Sequence, residues 1–140
     1  QLTDLGACLL LDSMREYKSI RSHRNSIYKT YLKYIFQNKK IKCVQSIDKN
    51  AEEVMWLFTV ITPYKDLLQK KLREKNIETN QVHFRNDRYS IFKKFSQSKK
   101  FKNMDIIQDK YLVLPMHTKM TISDAKRVSQ EINKILRKIN

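Results

Sequence analysis

Residues 111–139, YLVLPMHTKMTISDAKRVSQEINKILRKI, contain the clearest fold signals in the sequence. The segment starts with an apolar run that predicts an extended strand, and Pro115 closes this run because proline cannot donate to a strand ladder. Thr121 and Asp124 then form a T-x-x-D pair, which is typical of a helix N-terminus. The following apolar stripe has helical spacing: Ala125, Val128, Ile132, Ile135, Leu136 and Ile139. The sequence therefore predicts a strand followed by an amphipathic helix in this part of the chain.

The middle of the sequence contains two further strand-like runs and a helix. Residues 41–44 and 54–61 are predominantly apolar, and the second run is apolar on both faces, which predicts a central strand covered on both sides. Thr62 and Pro63 predict the start of a helix that turns Tyr64, Leu67, Leu68 and Leu72 inward. Asn76 predicts the end of this helix, because asparagine tolerates the left-handed conformation that often follows a helix. An extended run is expected over residues 77–84.

The two remaining regions are the N-terminal part and a long loop. Thr3 and Asp4 predict a first helix, and a second, long amphipathic helix is predicted over residues 14–36. Residues 85–102 are expected to form a long loop or short helices, with a short helix near residues 103–109. The predicted fold class is α/β (α+β): a small, mostly antiparallel sheet with flanking helices and a long N-terminal helix. No linker-like stretch divides residues 1–140, so one domain is expected.

Composition limits the functions that the chain can perform. The 140 residues include one glycine and two cysteines, and the formal net charge is +15. A phosphate-cradling loop needs several glycines, so neither a P-loop nor a GxGxxG loop can be built. No apolar run approaches the roughly 20 residues that span a bilayer, so membrane insertion is not expected. Since lysine outnumbers arginine and is spread along the chain, we interpret the charge as a solvated surface rather than a specific nucleic-acid site.

Three stretches resemble the DegT/StrS-type family of nucleotide-sugar aminotransferases. Residues 1–31, QLTDLGACLLLDSMREYKSIRSHRNSIYKTY, are similar to the family's N-Y-R-M-(S/T)-D-L-x-A-A-L-G stretch and the helix after it. Within residues 56–83, the EKNIETNQVHF run resembles the family's G-I-x-T-x-x-H-Y pattern, with Asn76 in place of the glycine. Residues 112–128, LVLPMHTKMTISDAKRV, resemble L-S-L-P-x-H-x-x-L-T-x-x-D-x-x-x-V. Together these stretches cover nearly the whole chain in the family's order.

The resemblance implies that residues 1–140 form the C-terminal small domain of a fold type I aminotransferase that uses pyridoxal phosphate. The parent enzyme would be a cytoplasmic homodimer that passes an amino group from glutamate to a nucleotide-linked keto sugar, in amino-sugar biosynthesis. The family's Schiff-base lysine and the partner of the pyridine nitrogen would precede Gln1, so the large cofactor domain would be missing. No catalytic, cofactor-binding or metal residue is therefore expected within this chain, which is predicted to be inactive alone.

The candidate substrate-binding residues are His83 and Arg85. The matching histidine region of the family faces the sugar nucleotide, and an imidazole with a nearby guanidinium is suited to hydroxyl and diphosphate oxygens. A purely structural role for both residues remains open. Residues 86–89 are weaker candidates, since a turn held by Asn and Asp explains them equally. The other histidines and the two helix residues Arg24 and Tyr28 are expected to be structural or exposed: His117 ties a strand end to the last helix, and His23 lies at the surface.

Two other functions remain open at this stage. A dehydratase of the same family, which uses the aminated cofactor without a Schiff-base lysine, differs from a transaminase at a residue outside this sequence. A small basic nucleic-acid-binding module is the main alternative from another class, and a free-standing interaction domain is a third. An upstream reading frame that encodes the large domain would favour the aminotransferase, whereas a start codon near Gln1 would favour the last two functions.

Overall fold

A computed structural model describes residues 3–35, 38–45, 55–96 and 101–139. The helices of this part are α1 (Asp4–Ile35), α2 (Lys65–Arg73), α3 (Lys93–Ser96), α4 (Lys102–Ile107) and α5 (Ile122–Arg137). The strands are β1 (Lys42–Cys43), β2 (Phe58–Ile61) and β3 (Tyr111–Leu114). Two 3₁₀ turns, Asn86–Arg88 and Ser90–Phe92, precede α3. This arrangement confirms the predicted fold class of a small sheet with flanking helices.

The three strands form one antiparallel sheet with β2 in the centre. Phe58 pairs with Leu114, and Ile61 pairs with Tyr111. The inner face packs against α1, α2 and α5, and Phe58, Val60, Leu112 and Leu114 are buried there. The prediction that β2 is covered on both faces was wrong, because Thr59 and Ile61 on the outer face are only partly buried. The helices α1, α2 and α5 lie on this inner side of the sheet, and the chain between α2 and β3, which includes α4, covers the other side incompletely.

The helix α1 is one continuous helix of 32 residues, not the two helices that were predicted. No proline or glycine interrupts residues 7–35, so nothing in the backbone requires a break. Ser13 is accommodated because its hydroxyl donates to the carbonyl of Leu9 at 2.9 Å. The second half of α1 is embedded in the core through Ile27, Tyr31 and Ile35. The first half extends beyond the core.

The N-terminus of α5 has the geometry that its sequence predicts. The backbone N–H of Asp124 donates to Thr121 Oγ1 at 3.1 Å, and the backbone N–H of Thr121 donates to Asp124 Oδ2 at 2.8 Å. This reciprocal capping box satisfies two donors that a helix N-terminus otherwise leaves free. The hydrogen bonds from Thr121, first through its side chain and then through its backbone, lower the pKa of Asp124.

The helix α2 differs from its prediction at the start and agrees at the end. It begins at Lys65, and its N-cap residue Tyr64 makes no side-chain cap hydrogen bond. The Thr62 hydroxyl donates to the carbonyl of Lys40 at 2.8 Å and accepts from the N–H of Tyr64 at 3.3 Å. Leu68 and Leu72 are buried as predicted, but Leu67 is exposed because it lies off the four-residue spacing of the buried face. Asn76 adopts a φ of 56°, which confirms the predicted left-handed helix end.

The segment after α2 pairs with the backbone of the sheet through an isolated bridge. Asn80 and Val113 form an isolated antiparallel bridge, in which the Val113 N–H donates to the Asn80 carbonyl at 2.8 Å. The expected extended run over residues 77–84 therefore does not continue as a fourth strand in this described region. The short helices expected after it are present as the 3₁₀ turns, α3 and α4.

Candidate functional site

A surface cavity of about 820 Å³ lies on the outer face of the sheet, where the loop after α2 passes over it. Its floor includes the outward side chains of the sheet, and its walls come from residues 82–89 and from α4. The lining combines apolar and polar groups, among them Val44, Ile61, Val82, His83, Arg85 and Tyr111. The incomplete cover of β2 produces this cavity, because a fully covered strand would leave no space above Thr59 and Ile61.

Arg85 is buried at the cavity wall and is held by two carboxylates. Its Nε donates to Asp87 Oδ1 at 2.9 Å, and its Nη2 donates to Asp87 Oδ2 at 2.6 Å, so the pair is bidentate. Its Nη1 donates to Asp105 of α4. The side chain is 5% exposed. The guanidinium therefore ties the loop to α4 in this structure.

The charges of this cluster stabilise one another. The hydrogen bonds with Asp87 and then with Asp105 raise the pKa of Arg85 above its usual value, so the group is always charged. The hydrogen bond from Arg85 lowers the pKa of Asp87. A cation that is paired in this way has less free charge to offer an incoming anion, and the loop it holds is fixed in one position. The sequence does not reveal the cluster, because Asp105 lies 20 residues after Arg85.

His83 is exposed at the same edge and is fixed through its backbone. Its N–H donates to Tyr111 Oη at 3.3 Å, and the Tyr111 hydroxyl donates back to the carbonyl of His83. Its imidazole lies 6.2 Å from the indole ring of Trp56, measured between ring centroids. The sequence did not identify Tyr111 or Trp56 as site residues. Its apolar strand patterns predicted only that both residues lie in or beside strands.

The weaker candidates in residues 86–89 take part in the loop itself. Asn86–Arg88 forms a 3₁₀ turn, and Asp87 is the bidentate partner of Arg85. The ring of Tyr89 packs edge-on against Phe84, with centroids 5.1 Å apart. These contacts show how the turn is held.

The other residues considered from the sequence make structural contacts away from the outer-face cavity. Arg24 donates from Nη1 to the carbonyls of Met55 and Trp56, each at 3.1 Å, and Tyr28 packs against Phe58 with ring centroids 5.1 Å apart. The carbonyl of His117 accepts from the N–H of Met120 at 3.1 Å, in the turn before α5. His23 is partly buried, although it was expected at the surface.

The described lysines do not offer a Schiff-base site for pyridoxal phosphate. A lysine needs a desolvated pocket to react as a neutral amine, and no lysine is buried within residues 3–35, 38–45, 55–96 and 101–139. Lys40 and Lys65 are the partly buried ones. Lys40 donates to carbonyls at the end of α5, and Lys65 pairs with Asp66 at 3.1 Å. None of the lysines in these described ranges therefore lies in a desolvated pocket of that kind.

The described ranges contain no group of three or more His, Cys, Asp or Glu side chains arranged to hold a metal ion. None of the helices in these ranges combines the length and the apolar character needed to cross a membrane. The outer-face cavity brings the two candidate residues His83 and Arg85 together in its lining.

The fold is shared with solved sugar aminotransferases. AtS13 from Actinomadura melliaura matches 96% of this chain with a TM-score of 0.87 at 19% identity, and 35% of AtS13 is covered. DesV from S. venezuelae, solved in complex with a ketimine intermediate, matches 96% of the chain with a TM-score of 0.86 at 18% identity, and 37% of DesV is covered. PseC from Helicobacter pylori, an aminotransferase of pseudoaminic acid biosynthesis, matches 91% with a TM-score of 0.78 at 15% identity, and 35% of it is covered.

The chain spans about a third of the length of these solved structures. No curated protein is significantly similar to it in sequence. The model of one protein family, however, matches residues 1–133, which is nearly the entire sequence. The chain belongs to the DegT/DnrJ/EryC1/StrS aminotransferase family.

Proposed function

We propose that this chain provides the sugar-binding side of a pyridoxal-phosphate-dependent aminotransferase that acts on a nucleotide-linked keto sugar. The observation that carries the proposal is the exposed His83 at the edge of the outer-face cavity, with its backbone fixed by Tyr111. A fixed imidazole can donate to or accept from sugar hydroxyls without first paying the entropy of ordering its backbone. Membership of the aminotransferase family supports the reaction class.

In this proposal His83 binds substrate, and Arg85 belongs to the same site. Arg85 and its two carboxylates keep the loop at a constant distance from α4, so that the polar groups of the loop stay oriented toward the cavity. Pyridoxal phosphate, when bound in the parent enzyme, supplies the electron sink for amino transfer. The lysine that holds it is proposed to lie on residues outside this chain, which is consistent with the third of the relatives' length that the chain spans.

The isolated chain is therefore proposed to be inactive, and the parent enzyme to be a homodimer that takes its amino group from glutamate. A cytoplasmic location is part of the same proposal, and the free thiols of Cys8 and Cys43 are compatible with a reducing compartment. Amino-sugar biosynthesis is the proposed pathway class.

Reconstitution tests this function. The purified chain is mixed with pyridoxal phosphate, glutamate and a nucleotide-linked keto sugar, with and without the polypeptide encoded immediately upstream, and 2-oxoglutarate is measured. We expect 2-oxoglutarate from the combination, reduced by His83→Ala, and none from the chain alone beyond a lysine-rich control protein. Turnover by the chain alone contradicts the proposed inactivity.

The same reaction mixture separates the alternatives within the family. A transaminase produces an amino sugar and 2-oxoglutarate in equal amounts. Loss of a sugar hydroxyl as water, without net transfer of nitrogen to the sugar, identifies the dehydratase instead. A combination that gives neither product contradicts both activities.

A further inference from the structure

Trp56 and His83 bring two exposed aromatic rings together at the edge of the sheet. Their ring centroids are 6.2 Å apart and their planes are inclined by 57°. The indole is the only one in the sequence, and Trp56 is 61% exposed although tryptophan is among the largest apolar side chains. The indole is not part of the hydrophobic core, so core packing does not explain the position of Trp56.

The backbone beside the indole is held from α1. Arg24, in the partly buried middle of that helix, donates from one nitrogen to the carbonyls of Met55 and Trp56, each at 3.1 Å. Charge-assisted hydrogen bonds of this kind are stronger than neutral ones. The backbone that bears the indole is therefore anchored to α1.

The backbone beside the imidazole is held from β3. The single hydroxyl of Tyr111 accepts from the N–H of His83 at 3.3 Å and donates to the carbonyl of the same residue. A phenol has one donor and an acceptor oxygen, so Tyr111 uses both functions on one residue. Two exposed rings that meet side by side are thus fixed by two different elements of the fold.

We propose that Trp56 and His83 form a stacking site for a planar nucleobase. A base that stacks on the indole meets the face or edge of the imidazole at an angle, and the ring nitrogens of His83 stay available to the sugar. Every nucleobase has a π-face, and stacking on an aromatic side chain contributes substantially to its binding. This inference rests on the proposed function, because the nucleotide portion of a nucleotide-linked sugar is the substrate part that has a planar ring.

Ligand-observed NMR with uridine monophosphate tests the site on the chain itself. We expect the uracil ring protons to shift upfield and broaden on addition of the chain, while ribose phosphate, which has no base, shows no comparable effect. Binding is expected to weaken about tenfold in Trp56→Ala and by less than about threefold in Trp56→Phe, which keeps a stacking ring. Phe95→Ala, which removes an exposed ring on α3, is the matched control and should bind like the unmodified chain.

Three results overturn the stacking site: no effect on the uracil protons, an equal effect with ribose phosphate, or unchanged binding in Trp56→Ala. Far-ultraviolet circular dichroism confirms that each variant is folded. The reconstituted enzyme separates this inference from the function on which it rests. Amino transfer with an unchanged KM for the sugar nucleotide in Trp56→Ala overturns the stacking site alone. Uridine monophosphate binding by a combination that transfers no amino group overturns the aminotransferase proposal alone.

Discussion

The hydroxyl of Tyr31 on α1 donates a hydrogen bond of 2.8 Å to the carbonyl of Pro115, 84 residues later in the sequence. Its ring also packs against Phe58, with centroids 4.7 Å apart. One buried side chain therefore joins the long helix, the central strand and the end of β3. This relationship fixes the end of α1 against the turn that leads to α5.

Tyr31→Phe should lower the free energy of unfolding by about 1 kcal/mol, because it removes the hydrogen bond and keeps the ring. Burial, and secondarily the charge of Asp124, raises the pKa of the Tyr31 hydroxyl. Ionisation therefore favours the unfolded chain once the pH exceeds the ordinary tyrosine pKa of about 10. The advantage of the unmodified chain over Tyr31→Phe should shrink above that pH. Urea unfolding across this range measures both effects, and Tyr17→Phe, at an exposed position, is the control.

Thr121→Ala should lower the free energy of unfolding by about 1 kcal/mol, since it removes the side-chain half of the capping box. Because the folded-state pKa of Asp124 is lowered, its contribution is present above the ordinary aspartate pKa of about 3.9 and is lost as the pH falls through the folded-state value. The difference between the two chains should therefore narrow in acid. Ser123→Ala, on the exposed first turn of α5, should have little effect in urea unfolding. An equal loss in both variants would argue against the cap.

Arg85→Ala should loosen the loop over the outer-face cavity while the helical core stays folded. The substitution leaves Asp87 and Asp105 without their shared cation, so the connection between the loop and α4 is lost. Limited proteolysis should cut residues 84–96 faster, whereas the melting of the helices by circular dichroism should change much less. Arg88→Ala, an exposed arginine of the same turn, is the matched control. Equal protease resistance of Arg85→Ala and the unmodified chain would contradict a holding role.

The first half of α1 should make the isolated chain associate. Its exposed apolar side chains are Leu5, Leu9, Leu10, Leu11, Met14 and Tyr17. Leu2, which was predicted to join them, lies outside the described residues. Contiguous exposed apolar surface favours association, so sedimentation at high concentration should reveal oligomers and an apolar dye should bind. Leu5→Ser with Leu9→Ser should reduce both signals, while Leu67→Ser on α2 should not. A stable monomer without dye binding would count against this prediction.

Features that depend on neighbouring residues were predictable from the sequence. The capping box needs only Thr121 and Asp124, and the left-handed end of α2 needs only Asn76, so short-range rules identify both. The amphipathic stripe of α5 likewise predicts its buried face. The class of the fold followed from the order of such elements.

Features that depend on distant residues were not predictable in this way. Arg85 meets Asp105 across 20 residues, and Tyr111 meets His83 across 28. Neither pair has a characteristic spacing, because the separation depends on the length of the intervening loop. The two-sided burial predicted for β2 failed for a related reason. The outer side chains of β2 are apolar enough to be buried. Whether another segment covers them depends on the fold of the whole chain and not on the pattern of the strand.

The helix α1 is about 48 Å long and passes through two environments. Its backbone amides from Ile27 onward lie beside core side chains, so their hydrogens should exchange with solvent only when the whole domain unfolds. Those before Ile20 have no such support from the described core and should exchange through local opening from the N-terminal end. A single unbroken helix therefore contains a gradient of protection, and any surface that covers the leucines should appear first as a slowing of exchange in the early turns.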